Sequence, residues 1–226
     1  MILDKIALLE NDLLKHIDLQ QAIAMSAYMK NKFPFLGIKS PKRKEIQRQW
    51  CTSVSLEYSK SEQWEIIREL WNKEEREYQY IAMDIISSWK KNDYTKDDLR
   101  NFEFILINKT WWDTLDLIST RYVGTFAQIF TVEFEEKYHE WISSENFWLN
   151  RVCLIYQLKY KNKTDFNKLS LAIGILKYKK EFFIQKAIGW SLREISKWNP
   201  EWVKSEIIKH QLIGLAKREA SKYLPD

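Results

Sequence analysis

The chain has 226 residues, with 36 Lys+Arg against 31 Asp+Glu, 45% hydrophobic residues and 11 each of Trp, Tyr and Phe; that is enough apolar material for a sizeable core and excludes global disorder. Only 5 Gly and 4 Pro are present, too few for the turns of a β-sandwich or barrel, and Gly37, Gly124, Gly174, Gly189 and Gly214 build no phosphate-binding loop. No run without a formal charge exceeds 11 residues, short of the roughly 18–20 that a membrane helix needs.

The amino terminus, MILDKIALLENDLL, carries acids within its first dozen residues and lacks a signal-peptide layout. Cys51 and Cys153 cannot make a disulfide framework or a Cys-rich zinc site, and His16, His139 and His210 lack local metal-ligand spacing. The expectation is a cytoplasmic protein with no metal and no small-molecule cofactor. Charge is uneven along the chain. From Glu145 onward there are 16 Lys+Arg against 8 Asp+Glu, whereas the first 144 residues hold 20 against 23. A basic carboxy-terminal part suits a polyanion, since clustered Lys and Arg supply the salt-dependent part of nucleic-acid affinity.

In chain order, apolar residues at three- and four-residue spacing predict helices in pairs. Glu62–Trp71 precedes Tyr78–Lys90, and Leu99–Asn108 precedes Trp112–Phe130. Val132–Trp141 then precedes Phe147–Tyr160, and Asn167–Leu176 precedes Ile184–Lys197. The second helices align on an aromatic at Tyr78, Trp111, Phe147 and Phe182, in steps of 33, 36 and 35 residues. A two-helix period of this size predicts an all-α fold, a curved α-solenoid in which no unit buries its apolar face alone. No linker interrupts it, so residues 1–226 read as a single domain. The second helices are expected to line a basic concave groove, because they carry the unusual polar and aromatic residues.

Two of them hold candidate chemistry. In the helix from Trp112 the core stripe is Trp111, Leu115, Ile118 and Tyr122. Trp112 and Asp116, four residues apart, share another face. Thr110 and Asp113 resemble a capping box with Asp in the Glu position, which assigns Asp113 to the helix start. In the helix from Ile184 the core stripe is Ile184, Ile188, Leu192 and Ile195, and opposite it run Lys186, Trp190, Arg193 and Lys197. A Trp among three cations suits a nucleic-acid surface, where cations meet phosphates and a flat ring packs on sugar or base. Arg151 and Lys159 on the preceding second helix extend the same face.

The segments IIRELW at Ile66, KTWWDTLD at Lys109, WLNRVCLIYQLKYK at Trp148 and EFFIQKAIGWSLRE at Glu181 together resemble the HEAT-like-repeat DNA glycosylases of the bacterial AlkD type. The resemblance runs from YMKNKFPFLGI at Tyr28 to LAKREA at Leu215. It implies that Trp112, Asp116 and Trp190 form the active-site cleft. It also implies that Arg151, Lys159 and Arg193 meet the DNA backbone, and that Tyr28 lies near the lesion-facing surface. The implied activity is base excision of N3- and N7-alkylated purines from duplex DNA by a monomer, which would be nucleoid-associated when bound. Such a base leaves as a neutral molecule and needs no general acid, whereas the sugar gains positive charge that a fixed Asp116 can stabilise. Two routes to the lesion stay open, extrusion of the base into a pocket and the processing without full flipping that the resemblance implies. Two other readings remain: a repeat protein that binds DNA without catalysis, which uses every feature except Asp116, and a scaffold for an acidic peptide, which gives Trp112, Asp116 and Trp190 no joint role.

Overall fold

The computed structural model describes residues 2–224, which contain helices and turns and no strand. None of these helices is long and apolar enough to cross a membrane. The chain divides into two compact units, Met1–Thr95 and Lys96–Asp226.

The first unit holds α1 (Ile2–Leu14), α2 (Leu19–Tyr28), α3 (Ser40–Glu57), α4 (Lys60–Asn72) and α5 (Arg76–Ser87). The predicted pair appears as α4 and α5. Ser59 and Glu62 close a reciprocal cap at the start of α4, satisfying two backbone donors. Ile66, Ile67, Leu70 and Trp71 are fully buried, and α5 packs on both α3 and α4. Glu77 of α5 is buried and accepts the backbone N–H groups of Leu36, Gly37 and Ile38, which ties down the segment between α2 and α3. Gly37 has φ +86°, and a Cβ there would lie 2.0 Å from the Asp18 carbonyl oxygen, so no other residue fits.

The second unit begins with α6 (Asp98–Ile107) and α7 (Trp112–Leu117). Here the predicted single helix is interrupted: Ile118–Val123 winds as a π-helix before α8 (Gly124–Ile129). The hydroxyls of Ser119 and Thr120 donate to the carbonyls of Leu115 and Asp116 at 2.7 and 2.8 Å, competing with the backbone ladder at that turn. The pairs α9 (Thr131–Ile142) with α10 (Phe147–Ile155), α11 (Phe166–Leu176) with α12 (Phe182–Ser196), and α13 (Pro200–Lys209) with α14 (Gly214–Ala220) follow. The central α10 packs on α6, α7, α9, α11 and α12, so all of Leu149–Tyr156 is buried. It ends five residues before the expected Tyr160. The Gln157 side chain instead bonds the backbone of Asp165, which turns the chain and leaves Lys159 on a loop.

A side-chain device recurs with the repeat. The fourth residue of α5, α10 and α12 is an amide: Gln79, Asn150 and Gln185. Gln79 donates to the carbonyls of Leu70, Trp71 and Lys73, Asn150 to those of Trp141, Ile142 and Ser144, and Gln185 to those of Lys177 and Lys179. Each amide thus satisfies the orphan carbonyls at the end of the preceding helix and fixes the two helices of a pair against each other.

Candidate active site

The second unit brings Asp116, Arg151 and Trp190 together. Asp116 comes from α7, with Trp112 one turn earlier on the same face. The helix starts at Trp112 with Trp111 as its cap residue and no side-chain cap. The expected capping box is therefore absent: the Thr110 hydroxyl donates to Leu106 at 2.6 Å, serving the end of α6. Asp113 stands in the first turn of α7, where the helix dipole favours an anion. Trp111 joins an aromatic cluster, with ring centroids 5.7 Å from Trp148 and 5.3 Å from Phe183.

Arg151 of α10 reaches Asp116 with two bonds, Nε to Oδ1 and Nη2 to Oδ2, both 2.9 Å. Its Nη1 donates to the Phe183 carbonyl. The guanidinium carbon lies 6.0 Å from the centroid of the Trp190 ring. Arg151 is only 2% exposed. Sequence reasoning put this residue at the DNA backbone, but the structure buries it and commits its guanidinium to the carboxylate. Burial pushes the Asp116 carboxyl above its ordinary value; the Arg151 bonds and charge pull it down, and the Asp113 charge adds to the rise. The result is a partly shielded carboxylate with a fixed orientation, joined through Arg151 to the surroundings of half-buried Trp190 and on the same helix face as half-buried Trp112.

The expected cation stripe on α12 is present but not composed of unpaired charges. Lys186 and Arg193 both meet Glu219 of α14, at 3.0 and 2.5 Å. Lys197 is exposed, paired with Glu194 at 2.6 Å and 5.5 Å from the Tyr223 ring. Exposed Lys159 sits on the loop after α10, and partial burial followed by the Arg121 charge holds its ammonium below the ordinary value. Exposed Arg121, on the π-helical turn, is a neighbouring cation that periodicity did not single out. Lys159 and Lys197 border a mostly apolar cavity of about 880 Å³, lined also by Leu154, Leu158, Ile195 and Trp198. Tyr28 belongs to the first unit, at the end of α2, with 69% exposure. Among the described residues no group of three His, Cys, Asp or Glu side chains is placed to hold a metal.

Three comparisons bear on this site. A search of curated proteins gave no match. Among solved structures, the chain is similar to a predicted DNA alkylation repair enzyme from Enterococcus faecalis, with 37% identity and a TM-score of 0.85 over 93% of this chain and 97% of that one. The family model described as "DNA alkylation repair enzyme" matches residues 9–224, a span that includes every candidate residue above, and the chain belongs to that family.

Proposed function

We propose that the protein is a DNA glycosylase of base excision repair, hydrolysing the N-glycosidic bond of cationic N3- and N7-alkylated purines in duplex DNA. The observation that carries this reading is the Asp116 carboxylate, held by two bonds from buried Arg151 beside the Trp190 ring. Arg151 is buried and committed to this carboxylate rather than exposed to phosphates, so the pair presents a fixed carboxylate that supports chemistry on a developing cation.

In the proposed reaction the C1′–N bond breaks and its electron pair moves to the purine, cancelling the positive charge of the alkylated ring. The sugar becomes oxocarbenium-like, and Asp116 stabilises that charge where it develops. Asp116 also orients a water for attack on C1′, and the proton that the water loses passes to this carboxylate. Trp112 and Trp190 supply aromatic faces that attract the cationic base and sugar, by roughly 0.5–2 kcal/mol each. Arg151 acts here as a positioning residue, fixing the rotamer of Asp116. Lys159, Lys186, Arg193 and Lys197 are assigned to DNA phosphates, and Tyr28 is the contact assigned to the first unit. The chemistry asks for no metal or cofactor, and the protein acts as a monomer on DNA in the cytoplasm.

The test is incubation with methylated duplex DNA. Release of free 7-methylguanine or 3-methyladenine, with abasic sites left in the strand, is expected. Tight duplex binding without release would make the protein a non-catalytic DNA binder of the same family.

A further inference from the structure

At Gly189, α12 and α14 meet backbone to backbone. A Cβ at that position would lie 2.4 Å from Cβ of Glu219 and 2.8 Å from the carbonyl oxygen of Ala216. Any larger residue would push α14 outward. The close approach delivers the Glu219 side chain, 5% exposed, to the cationic face of α12. Its Oε1 meets Nζ of Lys186 at 3.0 Å and Nζ of Lys222 at 2.9 Å, and its Oε2 takes Nη1 of Arg193 at 2.5 Å. One buried carboxylate gathers three partly exposed cations, leaving an excess of two positive charges. Burial pushes the Glu219 carboxyl up, but the hydrogen bonds from Lys222 and Lys186 and their charges outweigh it and hold the group at about 2. Glu219 is therefore ionised throughout the neutral range.

Simple charge counting makes an anion at this place a defect. It lowers the positive potential of the surface that is to hold a polyanion. The geometry points to a different role: we propose that Glu219 is a positioning residue that assembles Lys186, Arg193 and Lys222 into one pre-ordered clamp for a DNA phosphate, with Lys222 as a further phosphate contact. This rests on the reading that α12 faces DNA. Free Lys and Arg side chains lose rotamer freedom when they grip a phosphate, whereas these three have lost it on folding. Each ammonium has three donors and the guanidinium five, and Glu219 occupies only part of them. The remaining donors are available to phosphate oxygens.

The experiment measures affinity for a lesion-free duplex across a salt series, for the parent protein, Glu219→Gln and Lys222→Ala. Glu219→Gln keeps the size and removes one negative charge. Charge counting expects tighter binding; the clamp expects binding weaker by roughly fivefold or more, against the gain in net charge. In a Lys186→Ala/Arg193→Ala/Lys222→Ala background the same substitution should no longer weaken binding. Lys222→Ala lies outside the α12–α14 contact at Gly189, leaves Glu219 its bonds to Lys186 and Arg193, and should reduce the log–log salt slope by about 1. It thus tests the clamp even if Glu219→Gln loosens α14. Unchanged or tighter binding by Glu219→Gln together with an unchanged slope for Lys222→Ala overturns the clamp alone. A parent protein without duplex affinity overturns the clamp and the functional reading together.

Discussion

Replacing Arg151 by Met keeps much of the side-chain volume and removes the charge. Two hydrogen bonds to Asp116 and one to the Phe183 carbonyl disappear. Arg151 and Asp116 side chains are 3% and 19% exposed, so the pair is shielded from solvent, and breaking such a pair costs about 3–5 kcal/mol at neutral pH. For a chain of this length each kcal/mol moves the unfolding midpoint by roughly 2–4 °C, so a fall of about 10 °C is expected, within a total stability of about 5–15 kcal/mol. The cost is also pH-dependent. With Arg151 gone, burial acts on Asp116 without the opposing bonds and charge, so the carboxyl rises further above its ordinary value. A carboxyl raised in the folded state contributes stability that is fully present below its unfolded value and is lost as pH rises through the folded value. The difference between variant and parent should therefore shrink on acidification. Because only ionised Asp116 stabilises the sugar cation, the acid limb of base release should move to higher pH. The assay is single-turnover release of 7-methylguanine across pH, with thermal unfolding at pH 7 and pH 5. A phosphate-contacting Arg151 would instead lower the salt slope of binding by about 1 and leave the acid limb in place; that outcome would refute the positioning role.

Trp190→Ala should slow release more for a cationic lesion than for an uncharged damaged base, since the ring face attracts positive charge; equal slowing in a lesion panel would contradict this. Asn150→Ala and Gln185→Ala each strip partners from carbonyls at the end of the preceding helix. Each should cost about 1–3 kcal/mol in urea unfolding without altering the acid limb of release. A parental unfolding midpoint would remove the amides from the pairing device.

The helix pairs were legible because each buries one stripe, and Ile184, Ile188, Leu192, Leu115 and Ile118 are buried as their spacing required. The π-helical turn after Asp116 was not legible, since Ser119 and Thr120 are compatible with an ordinary helix and their bonds to the carbonyls four residues back appear only in three dimensions. The burial of Arg151 and its pairing with Asp116 were not legible, because both the repeat register and the family position aligned it with the cations of the neighbouring second helix. Arg151 sits in Leu149–Tyr156, a segment with no solvent face, where a charge must be paired. Lys186 and Arg193 were read as an open stripe because Glu219 comes from the next helix pair, 33 and 26 residues away. The recurrent amides Gln79, Asn150 and Gln185 were visible in the repeat register and went unread because the alignment rested on aromatics alone. Asp116 was legible as a residue on the helix face of Trp112 and away from the core stripe of Leu115 and Ile118, both fully buried.

The central claim is that Asp116 acts on charge that appears as the glycosidic bond breaks. Its most direct test is single-turnover release of 7-methylguanine by the parent protein and by Asp116→Asn, enzyme in excess, with lesion-free duplex binding measured alongside. The account expects release slowed by about 10²-fold or more, with duplex binding equal or slightly tighter because a negative charge has left a phosphate-binding surface. Release by Asp116→Asn at the parent rate would contradict it.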